Sequence, residues 1–125
     1  MSIATIVRTV TNNSQAHRRS LSETLGPLDQ LAASSVNLVA NQDLRLTVGG
    51  ESYALPRYIF IGPQDGGRPL RIGIFAGVHG DEPEGIHAAA AFIQRLDSQP
   101  ELARGYSLTI YPICNPTGFE DDTRH

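Results

Sequence analysis

Several residue types are scarce or absent in this chain. It has no lysine, no tryptophan and a single cysteine among 125 residues. Its ten basic residues are all arginines, scattered from Arg8 to Arg124, and the formal net charge is −3. A chain without a basic cluster has no electrostatic footprint for nucleic acid, so we expect no nucleic-acid partner.

The lone cysteine and the short hydrophobic runs restrict where the protein works. Cys114 cannot form an internal disulfide, which suits a reducing compartment. We interpret it as a packed thiol and expect a cytoplasmic protein. No apolar run approaches the roughly 20 residues that cross a bilayer, and residues 1–22 lack the apolar core of a secretory signal, so we expect no membrane partner. Residues 1–22 weakly imitate a transit peptide, but a flexible start is the simpler interpretation.

The length suits one domain or part of one. We treat residues 1–125 as a single, incomplete domain in which residues 1–40 form a variable amino-terminal segment. That segment has a patchy helical pattern that Gly26 and Pro27 are expected to break.

Strand patterns begin after residue 43. Alternation of apolar and polar residues from Leu44 to Val48 predicts a strand, and Gly49-Gly50 predicts a tight turn. A second strand is predicted at 58–61, followed by a loop at 64–69 that is rich in turn-forming residues.

The second half of the chain has a more regular pattern. The apolar run from Leu70 to Val78 predicts a strand covered on both faces. Pro83 fits the first position of a helix that ends near Ser98, and its apolar face comprises Ile86, Ala89, Ala90, Ile93 and Leu96. The sequence pattern at residues 106–113 predicts another strand. Strand, helix and strand with short connections form a parallel unit with a right-handed crossover, so we predict an α/β fold with a partial mixed sheet.

A metal-site pattern follows the first of these parallel strands. His79 and Glu82 lie three residues apart at the junction between strand and helix. Zinc binds imidazole nitrogen and carboxylate oxygen, and a catalytic zinc normally has three protein ligands and an open position for water. The second strand brings residues 114–118 to the same edge of the sheet, where ligands bind in open α/β folds. We therefore predict a metal site with His79 and Glu82 as two of its ligands.

Simpler explanations exist for most of these residues. Asp81 and Glu82 suit the start of a helix because acids there favour its dipole. His87 fits an exposed helix position, and Glu84 is better explained as a first-turn acid than as a general base. Residues 115–118, Asn-Pro-Thr-Gly, are typical of a turn, and we rank turn formation above a catalytic role for them. A further hypothesis is that residues 80–85 bind an anionic ligand at the start of the helix. These residues lack the glycine spacing of phosphate loops, so this hypothesis ranks last.

Two segments together resemble a known family. Residues 74–85, IFAGVHGDEPEG, and residues 111–118, YPICNPTG, resemble the zinc carboxypeptidase superfamily, closest to succinylglutamate desuccinylase/aspartoacylase-like proteins and murein-peptide amidases. The resemblance implies that His79 and Glu82 bind Zn²⁺ and that Arg124 stabilises the oxyanion. Digestive carboxypeptidases have Arg where this chain has Asp81, which counts against a simple C-terminal exopeptidase. The implied reaction is hydrolysis of an amide bond in a small peptide or an N-acyl amino acid.

The resemblance also implies parts that these residues do not include. Family members continue into an Asn-Arg pair that holds the substrate carboxylate, a later His that is the third zinc ligand, and a Glu that is the general base. His125 follows Glu82 too closely to be that third ligand. We therefore expect this chain to be the amino-terminal part of the fold and a poor catalyst alone. The rival hypothesis is a non-catalytic truncated or degenerate module that acts as an interaction or structural protein, with self-association through an unpaired sheet edge.

Overall fold

The computed structural model describes residues 19–125 as a mixed sheet with helices packed on it. The elements follow in chain order: helix α1 (Leu21–Ser34), strands β1 (Leu38–Asn41), β2 (Arg45–Val48), β3 (Glu51–Ala54), β4 (Arg57–Ile61) and β5 (Leu70–Phe75), helix α2 (Glu84–Ser98), a 3-10 turn (Pro100–Ala103), strand β6 (Tyr106–Tyr111) and helix α3 (Pro116–Asp121). The flexible start predicted for residues 1–22 lies largely outside the described residues. Within 19–125, no helix is long and apolar enough to cross a membrane.

The main sheet has the order β1-β4-β6-β5. β4 pairs antiparallel with both β1 and β6, whereas β5 pairs parallel with β6, from Leu70 opposite Tyr106 to Phe75 opposite Tyr111. The predicted α/β fold with a mixed sheet and a parallel strand-helix-strand unit is confirmed. β2 and β3 form a separate hairpin whose turn residues, Gly49 and Gly50, both have positive φ, as the predicted tight turn requires.

The core lies between the helices and the sheet. Tyr58 and Phe60 on β4 are opposite Ile110 and Leu108 on β6, and all four are buried. The predicted apolar face of α2 is confirmed, since Ile86, Ala89, Ile93 and Leu96 are buried and Ala90 packs against them. Burial of these side chains removes apolar surface from water and is the main source of stability. Burial also raises the pKa of Tyr58, whose hydroxyl donates a hydrogen bond of 2.6 Å to Asp29 Oδ1 and so raises its pKa further.

Helix α1 runs through the predicted break. Gly26 and Pro27 lie inside it, so the prediction that they interrupt the helix was wrong. Ser20 Oγ accepts a hydrogen bond from the Glu23 amide and caps the helix start. Leu25 and Leu28 on either side of Pro27 are buried, and we infer that this packing outweighs the hydrogen bond that proline cannot donate.

Strand β5 is more exposed than its sequence suggests. We predicted a strand covered on both faces, but β5 is an edge strand and most of its residues are exposed, including Leu70 at 60% and Phe75 at 65%. The prediction was wrong because an apolar run shows only that a strand can be buried on both sides. Within residues 19–125, no other strand pairs with the outer edge of β5.

Candidate metal centre

The connection between β5 and α2 carries the predicted ligands. Residues 76–83 leave the sheet edge as an irregular loop, and α2 begins at Glu84, one residue later than predicted, with Pro83 at the position that precedes it. No side chain caps the start of α2. The Glu82 carboxylate therefore does not cap the helix; it faces His79 and Arg124 instead.

His79 and Glu82 form a close pair. His79 Nδ1 lies 3.3 Å from Glu82 Oε2, and the two side chains are 31% and 59% exposed. Two ligands of a tetrahedral zinc ion, each at about 2.0–2.2 Å from the metal, are about 3.3–3.6 Å apart. The pair therefore fits two corners of a zinc tetrahedron, although the same separation fits a weak hydrogen bond or ion pair.

Arg124 joins this pair from the other end of the described chain. Its Nη1 atom lies 3.5 Å from Glu82 Oε1, the oxygen that does not face His79. The structure thus brings together all three of the residues that sequence reasoning assigned to the site. Their roles as ligands and oxyanion stabiliser stay predictions.

A complete set of ligands is not found in the described chain. Among residues 19–125, no group of three His, Cys, Asp or Glu side chains is arranged to hold a metal ion. The His125 ring stands perpendicular to that of His79 at 5.8 Å between centroids, but it does not complete such a group. Cys114 does not complete such a group either, and burial raises the pKa of its thiol.

The site lies where two loops meet at the carboxyl ends of β5 and β6. Beyond the strands, the amides of Cys114 and Asn115 donate to the carbonyls of Ala76 and Gly77, each at 2.9 Å. Gly77 has φ +62°, and a Cβ atom there would be 2.8 Å from Pro112 O. This extension of the parallel pairing confirms that both strands deliver their following segments to one edge.

Gly80 and Gly118 are in direct contact where the loops cross. A Cβ atom on Gly80 would be 2.0 Å from the carbonyl carbon of Gly118. Asn115 caps α3 by accepting a hydrogen bond of 3.0 Å from the Gly118 amide, so the predicted turn at 115–118 is the start of a short helix. Gly80 directly follows His79 and lies two positions before Glu82, so this contact holds the loop that carries both residues.

An open cleft lies beside the pair. It has a volume of about 470 Å³, and its lining includes Phe75, His79, Glu82 and Glu84. Phe75 stacks on Tyr111 with ring centroids 5.0 Å apart and planes within 6° of parallel. The cleft offers both polar ligands and an aromatic wall to a small molecule.

Residues 70–125 match the family model of the succinylglutamate desuccinylase/aspartoacylase catalytic domain. The family resemblance is confirmed. The matched residues include every side chain of the pair, its arginine partner and both loops. No curated protein sequence matches this chain.

Several solved structures share the fold. An aspartoacylase family protein of Mesorhizobium loti is 22% identical, with a TM-score of 0.58 over 74% of this chain and 27% of its own. A proposed metallopeptidase of Shewanella denitrificans is 24% identical, with a TM-score of 0.60 over 90% of this chain and 37% of its own. A succinylglutamate desuccinylase/aspartoacylase of Rhodobacter sphaeroides is 24% identical, with a TM-score of 0.53 over 70% of this chain and 26% of its own. The chain thus spans between about a quarter and just over a third of the length of these proteins.

Sequence reasoning missed one residue that reaches this site. Arg19 Nη1 donates a hydrogen bond of 2.6 Å to Gly80 O, across 61 positions of sequence. No spacing or motif links these two positions, so only the folded arrangement could reveal the contact.

Proposed function

We propose that this chain supplies part of the catalytic site of a zinc-dependent hydrolase that cleaves the amide bond of a small peptide or an N-acyl amino acid. The observation that carries the proposal is the 3.3 Å separation of His79 Nδ1 and Glu82 Oε2 at the mouth of a cleft. The match of residues 70–125 to the desuccinylase/aspartoacylase catalytic domain supports the same chemistry.

His79 and Glu82 would hold the metal, and Arg124 would stabilise the negative charge that develops on the oxygen of the attacked amide. A bound zinc ion lowers the pKa of its water towards about 7 and polarises a carbonyl. Arg124 donates N–H groups to the oxygen that becomes negative when the amide is attacked, which is the role of an oxyanion hole. Its ion pair with Glu82 keeps the guanidinium beside the metal ligands in the absence of substrate.

Zinc affinity tests the proposal directly. We expect the chain to bind one zinc ion with a micromolar or tighter dissociation constant, measured by competition with a fluorescent chelator. His79→Ala and Glu82→Ala should each weaken binding at least about tenfold, because a lost ligand is not replaced by a neighbour. His87→Ala and Asp81→Asn are matched controls, since His87 and Asp81 are exposed and stand outside the pair.

Two results would contradict the metal site. One is no zinc binding at saturating zinc; the other is equal weakening by the control substitutions. Either would leave His79 and Glu82 as an ordinary surface pair at the start of α2.

The second candidate is a non-catalytic module that acts as an interaction or structural protein. It is favoured by the lack of a three-residue metal group within residues 19–125. Hydrolysis assays on N-acetyl and N-succinyl amino acids and on short peptides, with zinc present, separate the two. Zinc-dependent release of the amino acid would support the hydrolase, whereas a chain that neither binds zinc nor releases the amino acid would support the module.

A further inference from the structure

We propose that Arg19 is a positioning residue for the metal pair, acting through the carbonyl group of Gly80. The proposal rests on the proposed function, because it concerns how His79 and Glu82 are held for zinc. Arg19 Nη1 donates to Gly80 O at 2.6 Å, and the guanidinium is only 26% exposed.

Gly80 is the pivot of the loop that carries the pair. Its carbonyl accepts from Arg19, and its amide donates to Arg124 O at 3.3 Å. Its Cα packs against Gly118 with no room for a side chain. Both polar groups of this one residue are therefore fixed from outside the loop. His79 immediately precedes it, and the Glu82 amide donates to His79 O at 3.2 Å, which closes the turn.

Arg19 can position this loop because it is itself held against α3. Its Nη2 atom pairs with Asp122 Oδ1 at 2.8 Å, and its guanidinium carbon lies 5.3 Å from the centroid of the Phe119 ring. Its backbone amide also donates to Glu120 O at 3.2 Å. Arg19, which lies two residues before α1, thereby joins the carboxyl-terminal end of α3 to the ligand loop.

The chemistry of the contact explains why arginine is suited to it. A guanidinium offers several N–H donors in a fixed plane, so it can serve a carbonyl and a carboxylate while one face lies on an aromatic ring. Hydrogen bonds from a charged donor are stronger than neutral ones. Partners that orient metal ligands typically change metal affinity by about 10–100-fold when they are removed.

Arg19→Ala and Arg104→Ala provide a matched comparison. Arg104 also forms ion pairs, with Glu101 and Asp65, but it lies between the 3-10 turn and β6, at the end of the sheet opposite the ligand loop. We expect Arg19→Ala to weaken zinc binding by about tenfold, and Arg104→Ala to leave it unchanged. Arg19→Lys keeps a charged donor without the planar guanidinium, so it should recover only part of the affinity.

Hydrogen exchange of the metal-free chain gives a readout that does not depend on zinc. In Arg19→Ala the amides of Gly80 and Glu82 should exchange faster than in the wild type, while the Leu108 amide in the central strand β6 should not change. Arg104→Ala should leave all three unchanged. If Arg19→Ala does not fold, Arg19→Lys is compared with wild type in the same way, and a smaller increase at Gly80 and Glu82 is expected.

These outcomes separate the inference from the proposed function. If the wild type binds no zinc, the proposed function fails, whereas faster exchange confined to Gly80 and Glu82 would still establish Arg19 as the residue that holds the loop. Unchanged exchange at Gly80 and Glu82 in Arg19→Ala would overturn the inference. So would equal losses of zinc affinity in Arg19→Ala and Arg104→Ala.

Discussion

The side-chain amide of Asn115 donates a hydrogen bond of 3.3 Å to the carbonyl oxygen of Arg124. The same carbonyl accepts from the amide of Gly80. Asn115 Oδ1 meanwhile accepts from Gly118 N and caps α3. One asparagine thus starts the short helix and ties its end to the loop of the metal pair. The backbone of Arg124 is thereby held by two hydrogen bonds to its carbonyl oxygen.

Two substitutions separate the two roles of Asn115. Asn115→Ala removes both hydrogen bonds, and we expect it to lower the free energy of unfolding by about 1–2 kcal/mol, as for a lost helix cap. Asn115→Asp keeps the oxygen that caps α3 and loses only the donor to Arg124, so it should cost less than half as much. Urea unfolding measures both. Equal costs would show that the bond to Arg124 matters more than the cap.

Gly80→Ala should be strongly destabilising. The added methyl group would overlap the Gly118 carbonyl, which is backbone and cannot rotate away. We expect a loss of about 2–3 kcal/mol in the free energy of unfolding. Gly85→Ala is the control, because its Cβ would have 3.8 Å to the nearest atom and lies inside α2. Alanine there should leave stability unchanged or raise it by up to about 1 kcal/mol. Similar behaviour of the two variants would contradict the close contact.

Tyr58 should make stability depend on alkaline pH. Its pKa is raised in the folded chain by burial and by Asp29, so folding favours the protonated phenol. This contribution is complete below the unfolded pKa of about 10 and declines above it, because there only the unfolded chain releases the proton. At pH 7, Tyr58→Phe should cost about 1–2 kcal/mol through the lost hydrogen bond. The difference from wild type should shrink as urea unfolding is repeated at higher pH. A difference that stays constant through the alkaline range would exclude the coupling, and Tyr106→Phe controls for a more exposed tyrosine.

Cys114 should react slowly with alkylating reagents. Burial raises the pKa of its thiol, which lowers the fraction of thiolate at pH 8. We expect iodoacetamide to modify the folded chain at least about tenfold more slowly than the urea-unfolded chain. Equal rates in the two states would mean that the thiol is accessible and ordinary. The rate for the folded chain should also keep rising above pH 8.5, where an ordinary thiol begins to level off.

The unpaired outer edge of strand β5 should cause the chain to self-associate. Its outer edge has no strand partner within residues 19–125, and Leu70 and Ile72 are exposed on it at 60% and 37%. Unpaired apolar edges promote pairing between chains. Sedimentation velocity should therefore show association that rises with protein concentration and falls in Ile72→Lys. Val36→Lys is the control, since Val36 is 96% exposed but precedes β1 at the opposite edge. A wild type that stays monomeric at every concentration would contradict this prediction.

The parts of the fold that depend on local pattern could be predicted from sequence. The apolar face of α2 follows from helical spacing, and the parallel pairing of β5 with β6 follows from strand, helix and short loops. That topology also explains why His79 and residues 114–118 were expected at one edge. The continuation of α1 past Pro27 could not be predicted, because burial of Leu25 and Leu28 depends on partners distant in sequence.

The sequence predicted the residues of the candidate site but not the residue that holds their loop in place. His79 and Glu82 were named from a motif and Arg124 from the family resemblance, and in the fold Glu82 lies 3.3 Å from His79 and 3.5 Å from Arg124. Arg19 could not be named, because a charge-assisted bond to a carbonyl leaves no trace in residue spacing. The exposure of β5 was also missed, since composition does not show which neighbours cover a strand.

The contact of Gly80 with Gly118 has a consequence for how such sequences can diverge. Gly80 cannot accept a side chain while the Gly118 backbone stays in place, and a side chain at Gly118 would overlap Asn115 and the carbonyl oxygen of Thr123. A descendant that still uses His79 and Glu82 should keep both positions small, whereas one that has abandoned them is free to lose both together. Glycine at these two positions is thus a marker of the loop arrangement that brings His79 and Glu82 together.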